Sequence, residues 1–263
     1  MQNYISDEEI EIVRIFRENV YGRSPDTTGY NRGHNGSGGH WLEQQMGVRP
    51  NADNAPDLLG HEMKNNTTSK TTFGDWSPNY KIFQDSNLGI DRDQFLRIFG
   101  KPNPAKNDRY SWSGTPLPTV NRPSPHNGSI IVVDENQDIS IIYNYSEDPR
   151  QDKAQIVPAH LQQDNLLLVK WDRENLAEKL LNKFGQVGWF KCFQDQNGVY
   201  NEIAFGAPMI YENWIMLVRQ GIVFFDSGMY ETNNRPYAMW RASNGYWNSL
   251  IVRRYPSEVL DSY

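Results

Sequence analysis

Residues 38–64 read GGHWLEQQMGVRPNADNAPDLLGHEMK, and this stretch decides the fold. Trp41, Leu42 and Met46 have the spacing of a short helix that Gly47 ends, because glycine readily takes the left-handed backbone that closes a helix. Residues 49–57 (RPNADNAPD) follow as a turn rich in Pro, Asn and Asp, residues that pre-set or tolerate turn backbone. Residues 58–66 (LLGHEMKNN) then alternate Leu59, His61 and Met63 against Gly60, Glu62 and Lys64, which is the period of a two-faced strand. Glu62 and Lys64 are therefore predicted on one side, with Asp57 at the turn that feeds the strand.

Outward from this stretch the pattern remains mixed α/β. Upstream, DEEIEIVRIFRENVY (7–21) puts Ile10, Val13, Phe16, Arg17 and Val20 at helical spacing, with Asp7 placed to cap the first turn. Downstream, residues 100–128 are dense in Pro, Gly, Asn and Ser and predict a long surface connection or flap. SIIVVD (129–134) and ISIIYNY (139–145), joined by ENQD, predict a hairpin. DRENLAEKLLNKF (172–184) aligns Leu176, Leu180 and Phe184 on one helical face. GWFKCFQ (188–194) and IVFFDSG (222–228) predict strands, separated by the apolar segment YENWIMLVRQG (211–221), and an aromatic and basic region follows at 236–255.

The chemistry rests on Asp57, Glu62 and Lys64. Hydrolysis of a phosphodiester needs a metal to generate hydroxide and neutralise charge, and a cation to orient the attacking water. Two carboxylates meeting on one ion suit Mg²⁺, a hard cation that prefers oxygen ligands. The backbone carbonyl of Met63 is available as a further ligand. A loose pattern of Asp followed by Glu-x-Lys recurs by chance about once in a chain of this length. The context makes it specific: Pro56 precedes Asp57, the spacing is short, and the upstream helix offers Glu43.

In that context the stretch resembles the active-site region of the MvaI/BcnI restriction endonucleases and the related mismatch-repair nuclease MutH, of the PD-(D/E)XK superfamily. In that group a glycine-containing loop and a helix with a Leu-Glu pair precede an Asp, which leads into a strand bearing Glu-x-Lys. The resemblance continues more weakly through SKTTFGDWSP (69–78), FLRIFGK (95–101), the hairpin and LAEKLLNKF (176–184). It implies an α/β restriction-endonuclease-like fold, a mixed sheet flanked by helices, bilobed around a DNA cleft. The catalytic lobe would span 1–165 and a DNA-recognition lobe 166–263. By resemblance Asp57 and Glu62 are the metal ligands, Lys64 is the catalytic lysine and Glu43 an accessory carboxylate. The implied activity is that of a type II enzyme, a monomer cutting double-stranded DNA one strand at a time with Mg²⁺ or substituting Mn²⁺. Its functional counterpart would be a cognate DNA methyltransferase. Where the MvaI pattern has a His-Asp-His run before Phe-Arg, this chain has Asn233, Asn234 and Arg235 before Trp240 and Arg241. Arg bonds guanine and Asn adenine bidentately, so these residues are candidate base readers. TNNRP also reads as a hairpin turn whose Asn residues tolerate left-handed backbone.

Weaker candidates surround this set. His34 and His40 flank the glycine loop within reach of a phosphate, and Lys70 and Lys81 follow the active-site strand, where they line the cleft or remain solvated. His61 is predicted on the face opposite Glu62, packed beside the core. Arg253 and Arg254 form a possible phosphate patch, and Lys191 lies on GWFKCFQ. The net charge of −6 argues against a generic nucleic-acid coat protein but permits an enzyme with a basic cleft. The 13% aromatic content suggests Trp and Tyr as amphipathic surface or groove walls. Cys192 is the only cysteine, which excludes an internal disulfide. No apolar run reaches the ~18 residues of a membrane span. The opening MQNYISDEEIEIVRIF is acidic where a signal peptide is basic, so the expected location is the cytoplasm. Three other readings compete: a MutH-like nickase dependent on repair partners, a noncatalytic DNA-binding module, and a carbohydrate or small-molecule enzyme using the aromatics as platforms.

Overall fold

The computed structural model of the chain describes residues 5–28, 37–48, 54–65, 67, 69–114, 116–120 and 122–261. The chain forms two compact units that interleave in sequence. One comprises residues 1–71, 179–210 and 244–263, the other 72–178 and 211–243. Sequence reading placed one cut near residue 165. The interleaving arises because one sheet of the first unit gathers strands from distant parts of the chain.

That sheet runs in the order Glu62–Lys64, Trp189–Gln194, Tyr200–Gly206, Ile251–Tyr255. The first pair is parallel, with Glu62 opposite Trp189, Met63 opposite Phe190 and Lys64 opposite Lys191. The remaining pairs are antiparallel. Alternation sorts the side chains onto two faces. Met63, Phe190, Cys192, Ile203, Phe205 and Tyr255 share a core with the helix Asp7–Asn19 and the helix Ser37–Gln45. Glu62, Lys64, Trp189 and Lys191 belong to the opposite face.

Two details of the helices differ from the sequence reading. Ser6, not Asp7, caps Asp7–Asn19, accepting from the Glu9 N–H at 3.2 Å. The buried stripe is Ile12, Val13 and Phe16, while Ile10 is half exposed. The stripe is rotated because Glu9 turns inward, where it accepts from Arg253 at 2.7 Å and from the Tyr255 hydroxyl at 2.9 Å. Burying one side chain such as Phe16 contributes about 1.5–3 kcal/mol, so this face anchors the sheet. The second helix ends at Gly47, as expected from the sequence. Val48 N–H bonds Glu43 O and Gly47 N–H bonds Gln44 O, and with φ of 75° at Gly47 this is a Schellman ending.

The second unit contains an antiparallel sheet, Tyr80–Lys81, Leu166–Trp171, Ile139–Tyr143, Ile130–Val133. The hairpin expected over 129–145 is its outer half, with Ile130 opposite Ile142. The helix Arg173–Phe184 buries Leu176, Leu180 and Phe184, as its periodicity predicts. Residues 211–219 form a further helix, and 224–226 pair with 239–243. Residues 100–128 are more ordered than a flap. Lys101–Asn103 and Arg109–Trp112 pair with each other, and Met229–Tyr230 adds to the latter. Polar residues there serve internal hydrogen bonds: Asn127 donates to Phe99 O at 2.7 Å and accepts from the Ser129 hydroxyl at 2.7 Å.

The tryptophans occupy the core rather than groove walls, whereas Tyr80, Tyr110, Tyr145, Tyr230, Tyr237 and Tyr246 are only partly buried. In the second unit Phe225 meets Trp112, Trp171 and Trp240, and Trp240 meets Trp171 and Trp214, mostly edge to face, with centroids 5.1–5.4 Å apart. Such contacts add about 0.5–1.5 kcal/mol each beyond burial. Among the described residues no helix is long and apolar enough to cross a membrane.

Candidate active site

The site begins with a reversal of the chain. Leu58 and His61 exchange backbone hydrogen bonds at 3.0 and 2.8 Å, across Leu59 and Gly60 with φ of 48° and 79°. Two positive-φ residues make the two-residue hairpin turn whose twist suits adjoining strands. Gly60 meets that backbone demand, and a Cβ there would lie 3.1 Å from Val187 Cγ2. The continuous strand expected over 58–66 is therefore replaced by this turn and a three-residue strand, Glu62–Lys64. The reversal brings Asp57 alongside Met63, whose N–H donates to Asp57 Oδ2 at 2.9 Å.

Glu62 and Lys64 project to the same face, as their spacing predicts. Lys64 Nζ donates to Glu62 Oε1 at 2.7 Å, with both side chains almost completely buried. The ammonium lies 5.0 Å from the ring centre of Phe184 and 5.9 Å from that of Trp247, so aromatic faces take the place of water around it. Burial pushes Lys64 below the ordinary lysine pKa, against the pull of Glu62. Lys183, absent from the sequence reading, places Nζ 3.0 Å from the same Glu62 oxygen. Asn54 joins these elements by donating to Lys179 O at 2.7 Å, which ties the loop before Asp57 to the helix that carries Lys183.

The atoms left over test whether a divalent metal suits the site. Glu62 Oε2 is buried with no hydrogen-bond partner among the described residues, and Asp57 directs Oδ2 at the Met63 N–H. Burial and the charge of Glu62 raise the Asp57 carboxyl to about 6. Two carboxylates forced together in this way, with oxygen donors to spare, fit a hard divalent cation. Met63 also fits. Glu62 N–H bonds Gly188 O at 3.1 Å, so by alternation the N–H and C=O of Met63 face the other edge, where Asp57 lies. Among the described residues no three His, Cys, Asp or Glu side chains form a metal cluster. Glu43 is engaged by Asn65 Nδ2 at 3.2 Å and His40 Nδ1 at 3.3 Å. It reaches the end of the strand through Asn65 rather than joining Asp57 and Glu62.

The other candidates divide between the units. His34 lies outside the described residues. His61 is buried edge-on against Phe205, and burial lowers its pKa. Lys70 begins the strand Lys70–Asp75 and is half buried, whereas Lys81 is buried instead of solvated. Arg253 and Arg254 pair with Glu9 and Glu202, so they are not an open phosphate patch. Lys191 is buried in register with Lys64, and its Nζ has no hydrogen-bond partner among the described residues. In the second unit, Asn233 builds its own turn: it accepts from Arg235 N–H at 3.0 Å and donates to the Tyr230 hydroxyl at 3.1 Å. Asn234 is exposed. Arg235 is exposed and bonds Asp75 at 2.9 Å. Arg241 lies 3.2 Å from the largely buried carboxylate of Asp226.

The Glu-x-Lys strand thus stands at the edge of a mixed sheet, with Asp57 folded back onto it from a tight turn. The sequence matches the LlaMI restriction endonuclease family over residues 20–255. It is 48% identical over 261 residues to the type II restriction enzyme ScrFI of Lactococcus lactis subsp. cremoris, covering 92% of this chain and 96% of that one. Its fold is similar to that of restriction endonuclease MvaI, solved as a complex with its cognate DNA substrate. That match has a TM-score of 0.62 at 16% identity, over 97% of this chain and 100% of the other. The chain belongs to the LlaMI restriction endonuclease family, and it is a type II restriction endonuclease.

Proposed function

We propose that this enzyme cuts both strands of duplex DNA at a specific sequence, with Asp57, Glu62 and the Met63 carbonyl holding Mg²⁺ and Lys64 acting on the reacting atoms. The observation that carries this reading is the meeting of Asp57, Glu62 and Lys64 at one edge strand while Glu62 Oε2 has no donor among the described residues. When bound, Mg²⁺ makes a water acidic and neutralises charge on the phosphate. Lys64, fixed by Glu62 and the two rings, orients the attacking water and faces the charge that develops on the phosphate. In a water-poor setting that interaction is far stronger than in bulk solvent. Asp57 is held in position by the Met63 N–H. In-line attack at phosphorus then leaves 5′-phosphate and 3′-hydroxyl ends.

Asn234 and Arg235 in the second unit are proposed base readers, and Lys70 and His34 phosphate contacts. Glu43 is a proposed accessory to the site through Asn65. A single set of catalytic residues per chain suits a monomer that cuts the strands in turn, paired in the cytoplasm with a methyltransferase that protects the same sequence. The test is to digest a fully sequenced plasmid with purified protein and Mg²⁺ and to map the ends. Discrete fragments lost on chelation are expected. Accumulation of nicked circles alone favours the partner-dependent nickase, and an intact plasmid with Mg²⁺ or Mn²⁺ overturns the reading.

A further inference from the structure

Two lysines converge on one oxygen. Lys64 Nζ lies 2.7 Å and Lys183 Nζ 3.0 Å from Glu62 Oε1, while Oε2 has no hydrogen-bond partner among the described residues. Lys183 stands in the last turn of the helix Arg173–Phe184, and its side chain is only 17% exposed. Drawing an ammonium this far from water costs free energy unless it is compensated, and Glu62 compensates it. The nuclease chemistry described above uses one lysine, so the second needs its own account.

The formal charges supply one. Asp57 and Glu62 carry two negative charges, and Lys64 and Lys183 two positive ones, so the metal-free cluster is neutral. A neutral cluster attracts a divalent cation far less than an anionic one, since Coulomb attraction between charges a few ångströms apart is strong where water is largely excluded. Once the cation enters, the cluster carries an excess of two positive charges, the amount that a phosphodiester and an attacking hydroxide together cancel. Metal and DNA then favour each other's binding, and the linkage is reciprocal.

We propose that Lys183 is a positioning residue that makes metal binding depend on DNA, by holding the metal-free site electrically neutral through its ion pair with Glu62. The proposal rests on the reading of Asp57 and Glu62 as the metal ligands. In its absence the cluster would be anionic and would hold a divalent cation whether or not a phosphate was present.

The experiment measures Mn²⁺ binding to the DNA-free protein from the electron paramagnetic resonance of the unbound ion. The proteins compared are wild type, Lys183→Met, Lys183→Arg, and Asp57→Ala combined with Lys183→Met. Lys183→Met is expected to bind Mn²⁺ at least about tenfold more tightly than wild type. Lys183→Arg, which keeps the charge, is expected to match wild type, and the double variant to lose the gain. Lys183→Gln serves as a second neutral variant if Lys183→Met melts early. Equal or weaker binding by both neutral variants overturns the proposal. A gain that survives Asp57→Ala instead overturns the metal-ligand reading beneath it, and no Mn²⁺ on any variant overturns both.

Discussion

Asp57 bonds forward onto its own chain: its Oδ2 accepts the backbone N–H of Met63 at 2.9 Å. Met63 lies on an edge strand, whose outward N–H has no neighbouring strand to pair with among the described residues. The carboxylate therefore closes the edge with one oxygen and leaves the other for chemistry. Asp57→Asn keeps an acceptor for that N–H, whereas Asp57→Ala removes it, at a cost of about 1–2 kcal/mol. Both variants are expected to lose cleavage by on the order of a thousandfold or more while still retarding specific DNA in a gel. Plasmid cleavage and band-shift assays on the two proteins check this, and retained cleavage by either would remove Asp57 from the chemistry.

The same residue sets a pH dependence. Its folded carboxyl titrates near 6, because burial and then Glu62 disfavour the anion, whereas an unfolded Asp titrates near 3.9. A raised carboxyl pKa means that the folded state holds the proton more tightly. Stability contributed by the protonated form is thus present below about pH 4 and lost as pH rises through about 6. Without metal, wild type should fall behind Asp57→Asn by on the order of 2 kcal/mol between those limits. Urea unfolding in chelator at pH 4.5 and 7 reads the difference, and a gap that does not widen with pH counts against it.

How much of this was legible in the sequence follows from the physics of each element. The period of Leu176, Leu180 and Phe184, the glycine stop at Gly47 and the hairpin at 129–145 are local patterns, and the structure has them. Glu62 and Lys64 share a face because two-residue spacing in a strand requires it. The two-residue turn at Leu59 and Gly60 was masked by an apolar alternation that fits a strand equally well. Lys183 was out of reach for another reason. It follows Lys64 by more than a hundred residues, and only the parallel pairing of 62–64 with 189–194 returns its helix to the site. The aromatic content gave the wrong location for the tryptophans, which are buried, because composition does not say which rings stack on one another.

Lys64 and Lys183 give a stability test separate from catalysis. Removing one partner of a buried ion pair usually costs about 3–5 kcal/mol, because the remaining charge is stranded. Here either lysine still compensates Glu62 when the other is gone. Lys64→Met and Lys183→Met are each expected to cost less than that range, and the double variant more than the sum of the two. Denaturant unfolding of the four proteins in chelator closes the cycle. Simple additivity would mean that the lysines do not share the burden of Glu62.

Cys192 reports on the integrity of the sheet that carries the site. It is fully buried in the strand Trp189–Gln194, and burial pushes its thiol well above the ordinary cysteine pKa. A thiol-reactive dye at pH 8 is expected to label none of the native protein and one site per chain in denaturant. Labelling in native buffer at the rate of a free thiol would show that the sheet opens readily.

The turn at Tyr230–Arg235 separates residues that shape it from residues that present themselves to a partner. The Asn233 side chain is occupied on both sides, by the Arg235 N–H and the Tyr230 hydroxyl. Asn234 is exposed, and the exposed Arg235 side chain meets Asp75 at 2.9 Å and lies 4.8 Å from the centre of the Tyr237 ring. Arg241 neutralises the largely buried Asp226. Asn233→Ala and Arg241→Ala should therefore lower thermal stability, since each breaks a satisfied internal contact. Asn234→Ala and Arg235→Ala should leave the melting temperature within a degree or two and instead relax the choice of sequence. If one of them reads a base bidentately, its loss removes about 1–3 kcal/mol of discrimination at one position, roughly 5- to 150-fold in relative cleavage rate. Cleavage of the cognate duplex measured against duplexes altered at single positions gives that ratio. A uniform fall across all duplexes would instead assign the side chain to the phosphate backbone, and an unchanged ratio for both variants would move sequence reading away from this turn.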